Sequence, residues 1–154
     1  MKHFPLRLVR FYYRAARWPE YLAPLFDLGL RLYLFKVFFS SGLTKIQTWS
    51  STLYLFNDVY AVPLLPPDVA AYLATGVELG MSSLLLLGLF GRFAASGLFI
   101  LNGVAVISYS DLSPAGLNQH LSWGILLGVM LVLSRGRWSL DAWLERRLQG
   151  IASH

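Results

Sequence analysis

The chain has no cysteine. Disulfides, thiolate nucleophiles, thiolate-bound zinc and iron–sulfur clusters are therefore excluded, and any redox role falls to a bound cofactor, a metal on other ligands or a partner. Charge is scarce as well. Of the 154 residues 14% are charged and 56% hydrophobic, against averages of about 25% and about 45–50%. So little polar surface cannot cover a water-exposed globule, and so much apolar surface excludes disorder. Histidine is rare, and only His120 lies away from the termini, which rules out two-histidine haem ligation across a bundle. Gly-x-Gly-x-x-Gly, P-loop and nucleophile-elbow patterns are missing. Sustained period-two alternation is missing too, and an open sheet cannot span lipid. What is present is apolar sequence at helical length, with the bilayer as its solvent.

Four stretches approach the ~20 residues that a span requires: Leu25–Ile46, Val69–Phe90, Phe93–Tyr109 and Leu121–Leu133. The fold class expected is an all-α membrane protein, a four-transmembrane-helix bundle. Gly91-Arg92 makes a tight turn between spans two and three, and Ser110–Gln119 links three and four. Basic residues set the orientation. Lys2, Arg7, Arg10, Arg14, Arg17, Arg92, Arg135, Arg137, Arg146 and Arg147 fall on one side. Asp58, Asp68 and Asp111 fall on the other. The positive-inside rule places both termini in the cytoplasm of a bacterium, in its inner membrane, and an even number of spans agrees. Membrane topology thus accounts for the net charge of +5 without nucleic acid.

Three domains follow. Residues 1–24 read as a cytoplasmic amphipathic helix, with its arginines in a stripe opposite Phe4, Leu8, Phe11, Tyr12 and Ala15, ending at Pro19. Residues 25–134 hold the transmembrane domain. Residues 135–154 form an amphipathic cytoplasmic tail, with Ser139 as N-cap and Leu140, Trp143, Leu144 and Leu148 on one face. Residues 50–67 are too apolar for a free loop and too short to span. They read as an interfacial or re-entrant helix across the outer mouth, stopped by Pro63, Pro66 and Pro67. Gly76–Gly80 and Gly124–Gly128 form Gly-x-x-x-Gly patterns that permit close helix approach, within the chain first and in a homo-oligomer second.

An ordered set of motifs runs along the chain: Arg31; Gly42-Leu43-Thr44-Lys45-Ile46; Tyr60-Ala61-Val62-Pro63-Leu64-Leu65-Pro66-Pro67; Glu78-Leu79; Gly88-Leu89-Phe90-Gly91-Arg92; His120 near Trp123; and Gly136-Arg137-Trp138-Ser139-Leu140-Asp141. Over residues 25–145 this set resembles the DoxX family of small four-helix membrane proteins. One departure is Gly91-Arg92, where the family usually has Thr-Arg. The family takes its name from a subunit of an archaeal thiosulfate:quinone oxidoreductase. The resemblance implies an oxidoreductase subunit without thiol chemistry that engages a quinone-like lipophilic molecule, with a protein partner subunit. The subset with Gly-Leu-Thr-Lys-Ile and Val-Pro-Leu-Leu-Pro-Pro resembles proteins encoded beside bufferin-type copper-binding peptide systems. That implies an alternative: a non-catalytic scaffold that docks a partner in copper or metallophore handling.

Ionisable residues inside a span are functional candidates by default. Glu78 counts to about 13 Å deep, near the midplane. Arg31 is the expected partner that holds it charged. Lys36 matches Glu78 in depth but lies about 140° around the helix from Arg31, so it pairs elsewhere or snorkels. Asp27 precedes Arg31 by one turn and pairs with it locally. Lys45 either snorkels to headgroups or anchors a ligand beneath the 50–67 segment. His120 is either a capping or interfacial histidine, or a group that relays a proton or hydrogen-bonds a quinone carbonyl. Glu78 and His120 are therefore the catalytic candidates. Arg31, Lys45, Tyr54, Phe56 and Asn102 are the ligand-binding candidates, with Tyr54 and Phe56 in the lid and Asn102 as an interhelical hydrogen-bond partner. The expected pocket lies between spans one, two and four. Met81 and Met130 read as core filler, and Met1-Lys2-His3 as an amino-terminal Cu(II) motif only if it is free; no metal site is assigned.

Overall fold

A computed structural model of the protein describes residues 14, 18–133 and 139–152, and every regular element among them is a helix. Most of the expected 1–24 helix lies outside the described residues, as do Met1-Lys2-His3, Arg135, Arg137 and Trp138. In chain order the helices are α1 (Trp18–Gln47), α2 (Trp49–Asp58), α3 (Pro67–Leu87), α4 (Gly91–Ser108), α5 (Pro114–Leu133) and α6 (Leu140–Ala152). Three of them, α3, α4 and α5, are long and apolar enough to cross a membrane. At 30 residues α1 is the longest, but it carries Asp27, Arg31, Lys36 and Lys45.

Two expected boundaries move. Helix α1 begins at Trp18, seven residues before Leu25, with Pro19 in its first turn and Pro24 inside it. Helix α5 begins at Pro114, seven residues before Leu121. Proline suits a first helical turn, where its missing N–H is one of the orphan donors anyway. The Ser113 hydroxyl accepts from Gly116 N at 3.1 Å and caps that turn. His120 is therefore inside α5, in its second turn, and does not begin it.

The most extensive packing joins α1 to α3, followed by α4 to α5 and α3 to α4. Gly42 explains the first contact. A Cβ at Gly42 would lie 2.8 Å from the Leu79 side chain and 3.2 Å from Glu78 Cβ, so only glycine lets the two helices come this close. The Gly76–Gly80 pair has no neighbour within 4 Å of either Cβ position, so it does not supply the close approach expected of it. One buried cluster centres on Leu34, Phe38, Leu85, Leu98, Leu127 and Met130. A second, Phe56 with Ala70, Ala71 and Ala74, lies under α2. Elsewhere the helices turn Phe93, Ile107, Ile125 and Val132 outward, an apolar exterior suited to lipid.

The two ends are fastened differently. At one end Gly88 caps α3 in the left-handed region (φ 66°), which glycine adopts without steric cost. Asp141 then accepts from the otherwise unpaired Phe90 and Gly91 N–H groups at 3.1 and 3.3 Å, and its own N–H donates to Gly88 O at 3.1 Å. The tail is thereby locked to the α3–α4 turn, and the carboxylate faces the positive end of α4. At the other end Ala61 N donates to Ser108 O at 2.9 Å, holding the segment after α2 against the end of α4.

Candidate functional site

Register decides which polar groups meet. Gly42 lies beside Glu78 and Leu79, so α1 and α3 run antiparallel with residues 41–42 level with 78–79. The Lys45 side chain leans back one turn. Its Nζ donates to Glu78 Oε1 and Oε2 at 2.7 and 2.8 Å and to Ser41 Oγ at 2.9 Å. Ser41 Oγ donates in turn to Glu78 Oε1 at 3.1 Å. The Lys45 and Glu78 side chains are 20% and 9% exposed, a nearly dry ion pair closed by a hydroxyl.

This corrects the expected Arg31–Glu78 pair. Arg31 lies ten residues from Ser41, about 15 Å along the axis, and cannot reach Glu78. It is instead buried at the opposite end, bonded to Asp27 and beside Gly88 and Asp141. The local Asp27–Arg31 pairing is as the one-turn spacing predicts. Lys45 does not snorkel, and Lys36 is exposed on the outer face of α1.

The pair forms one wall of a cavity of about 350 Å³. Most of its lining is apolar and comes from α3 (Ala70, Leu73, Ala74, Val77) and α4 (Gly97, Ile100, Leu101, Val104, Ala105). Phe56 and Tyr60 close it from the α2 side, and α5 contributes His120. The three elements expected to form the pocket, α1, α3 and α5, all contribute to it, but most of the wall lies on α3 and α4, the latter not expected. Ring contacts build the closing side: Phe56 to Tyr60 at 5.2 Å and Tyr60 to Tyr109 at 5.5 Å. Burial raises the Tyr60 phenol above its usual pKa, and the neighbouring acidic groups of Tyr109 and Glu78 push the same way.

His120 is held by a reciprocal contact across α4 and α5. Asn102 Nδ2 donates to His120 O at 2.9 Å, and Asn102 Oδ1 lies 2.8 Å from His120 Nδ1. Trp123 packs edge-on against the imidazole at 5.0 Å and donates from Nε1 to Tyr33 OH on α1 at 3.2 Å. Close approach of α5 is possible there because Gly124 faces Asn102.

Of the residues singled out in the sequence, Glu78, Lys45, Phe56 and His120 line one cavity, and Asn102 stands behind His120. Arg31 does not belong to it, and Tyr54 points away, 62% exposed. Sequence reasoning missed Ser41, Ser108 and the α4 wall. Ser41 had a signal: it stands one turn before Lys45. Among the described residues, no group of three His, Asp or Glu side chains is placed to hold a metal ion.

The family model for DoxX matches residues 26–111. A protein of Haemophilus influenzae described as uncharacterized is 31% identical over 128 residues, which cover 76% of this chain and 82% of the relative. No solved structure matches. The matched region runs from α1 to just past α4 and so includes both partners of the buried ion pair and nearly all of the cavity wall: the chain belongs to the DoxX family, as a membrane protein built of apolar helices.

Proposed function

We propose that this protein is a four-span subunit of an inner-membrane redox system that holds a quinone-like lipophilic molecule between α3 and α4. The observation that carries this reading is the cavity itself: about 350 Å³, apolar-walled, with one buried ion pair and one fixed histidine on its lining. That volume falls within the roughly 300–1,000 Å³ of small-molecule sites, which pair apolar walls with a few fixed polar groups. In this reading α1 is the remaining span. Lys45 keeps Glu78 charged, Glu78 takes a hydrogen bond or proton from the ligand, and His120 contacts its ring substituents. Helix α2 and Tyr60 serve as the lid at the outer face. Residues 1–24 and 135–154 flank the transmembrane domain on the cytoplasmic side.

The test is retention. Protein purified in native lipid is extracted with organic solvent, and the extract is analysed by mass spectrometry. A lipophilic ring compound in near-equal amount to protein is expected, and Val104→Trp, which fills the cavity, should lose it. An extract holding only phospholipid, together with failure of any added decyl-quinone or decyl-hydroquinone to bind, overturns the reading. A second reading, a partner-docking scaffold, has one observation in its favour: Leu140, Trp143 and Leu144 stay exposed along α6. A stoichiometric protein partner lost on Trp143→Ser, with no ring compound in the extract, would support it instead.

A further inference from the structure

The polar groups that face the cavity are not equivalent, and their hydrogen-bonding capacity can be counted. Lys45 Nζ has three protons and three acceptors, so it offers none to a ligand. The Asn102 amide is oriented without ambiguity, because its Nδ2 donates to a backbone carbonyl that can only accept. Its Oδ1 therefore faces His120 Nδ1, and a carbonyl oxygen can only accept as well. The proton of the neutral ring must reside on Nδ1. Nε2 is left with a lone pair, and no described residue donates to it.

A second, independent observation lies on the same cavity. Ser108 is 4% exposed, and its Oγ is the one buried side-chain polar atom among the described residues without a hydrogen-bond partner. A buried hydroxyl left unmatched is destabilising unless something else satisfies it, and Ser108 lines the cavity. The hydroxyls of Ser108, Tyr60 and Tyr109 rotate to donate or accept and so do not discriminate. The groups with fixed character, His120 Nε2 and the Glu78 carboxylate, are acceptors.

We infer that the cavity selects a lipid-soluble ring bearing a hydroxyl donor, a phenol or hydroquinone, over the carbonyl form of the same ring. The ring O–H donates to His120 Nε2, and a second oxygen of the ligand meets Ser108 Oγ. A quinone carbonyl placed at His120 would set two acceptors against each other. This rests on the reading of the cavity as a lipophilic-ring site and adds which form of the ring it prefers. It also reverses the expectation that His120 donates to a quinone carbonyl.

Three matched probes test it on the full chain in lipid nanodiscs, kept anaerobic: decyl-hydroquinone, decyl-benzoquinone and the dimethyl ether of the hydroquinone. The hydroquinone should bind about tenfold more tightly than either of the others, the worth of one hydrogen bond gained and one acceptor clash avoided. His120→Phe should erase that preference by weakening only the hydroquinone, and Ser108→Ala should weaken it severalfold. Should either variant fail to fold, the three-probe comparison on the unmodified protein stands by itself. Nitrogen chemical shifts of ¹⁵N-histidine-labelled protein give a readout free of ligand: His120 should carry its proton on Nδ1. Equal binding of hydroquinone and quinone, tighter binding of the quinone, or a proton on Nε2 overturns the donor requirement while leaving the ring site intact. Failure of all three probes overturns both.

Discussion

At the residue scale, the protein is governed by who can reach Glu78. Removing one partner of a buried ion pair costs about 3–5 kcal/mol in soluble proteins, because the other charge is left stranded; in lipid the loss is smaller, since the unfolded reference also finds partners. Lys45→Met should therefore lower the melting temperature in detergent more than Glu78→Gln, whose amide oxygen still accepts from Lys45 and Ser41. Arg31→Met should leave Glu78 untouched and act only at the far end; a double-mutant cycle between Arg31 and Glu78 should be additive, whereas Lys45 and Glu78 should couple. Coupling of Arg31 to Glu78 in that cycle would refute the observed register. Counting depth from hydrophobic edges pointed to Glu78 as buried, and one-turn spacing joined Asp27 to Arg31. The true partner was illegible because such counting levels Glu78 with Lys36, whereas the contact at Gly42 levels it with residues 41–42, about 8 Å further along α1.

At the scale of elements, apolar runs and prolines carried most of the information. Pro66-Pro67 marks where the segment after α2 gives way to α3, and the run to Leu87 is broken by Gly88 as a left-handed cap. The short helix over residues 49–58 follows from its aromatics, although only Phe56 is turned fully inward and Tyr54 is not. Less legible was which glycine matters. Gly-x-x-x-Gly at 76 and 80 matches a known packing pattern, but between α1 and α3 the residue that meets a neighbour is the isolated Gly42. Side-chain volume tests this directly. Gly42→Val should force α1 off α3, lower the melting temperature by several degrees and weaken ligand retention by separating Lys45 from Glu78. Gly76→Val and Gly80→Val, facing open space, should shift it far less. Equal losses at all three positions would mean that Gly42 is not the contact that sets the register.

At the scale of the whole molecule, the two ends differ in charge as well as in fastening. Arg92, Arg146 and Arg147 gather near the α3–α4 turn and the docked tail, whereas Asp58, Asp68 and Asp111 lie around α2 and the α4–α5 link. Positive charge is retained on the cytoplasmic side, so a cysteine at Ser51→Cys should react with an impermeant maleimide in intact cells, and one at Gln149→Cys should react only after the cells are opened. The reverse pattern would invert the proposed orientation. The apolar helices were readable from hydropathy, three of them long and apolar enough to cross a membrane, but the placement of the cavity wall on α3 and α4 was not. It depends on small residues, Ala70, Ala74, Gly97 and Ala105, whose packing leaves space that no periodicity announces.

The pairing of Lys45 with Glu78 also bears on how the chain gets into the bilayer at all. With α1 as the proposed fourth span, α1 alone would carry an unpaired ammonium into lipid, and α3 alone an unpaired carboxyl group, each a costly passenger at the translocon. Because the two helices are near neighbours in sequence and antiparallel in space, they can leave the translocon together as a hairpin whose opposite charges already cancel. The ion pair would then serve the nascent chain before it serves the finished protein.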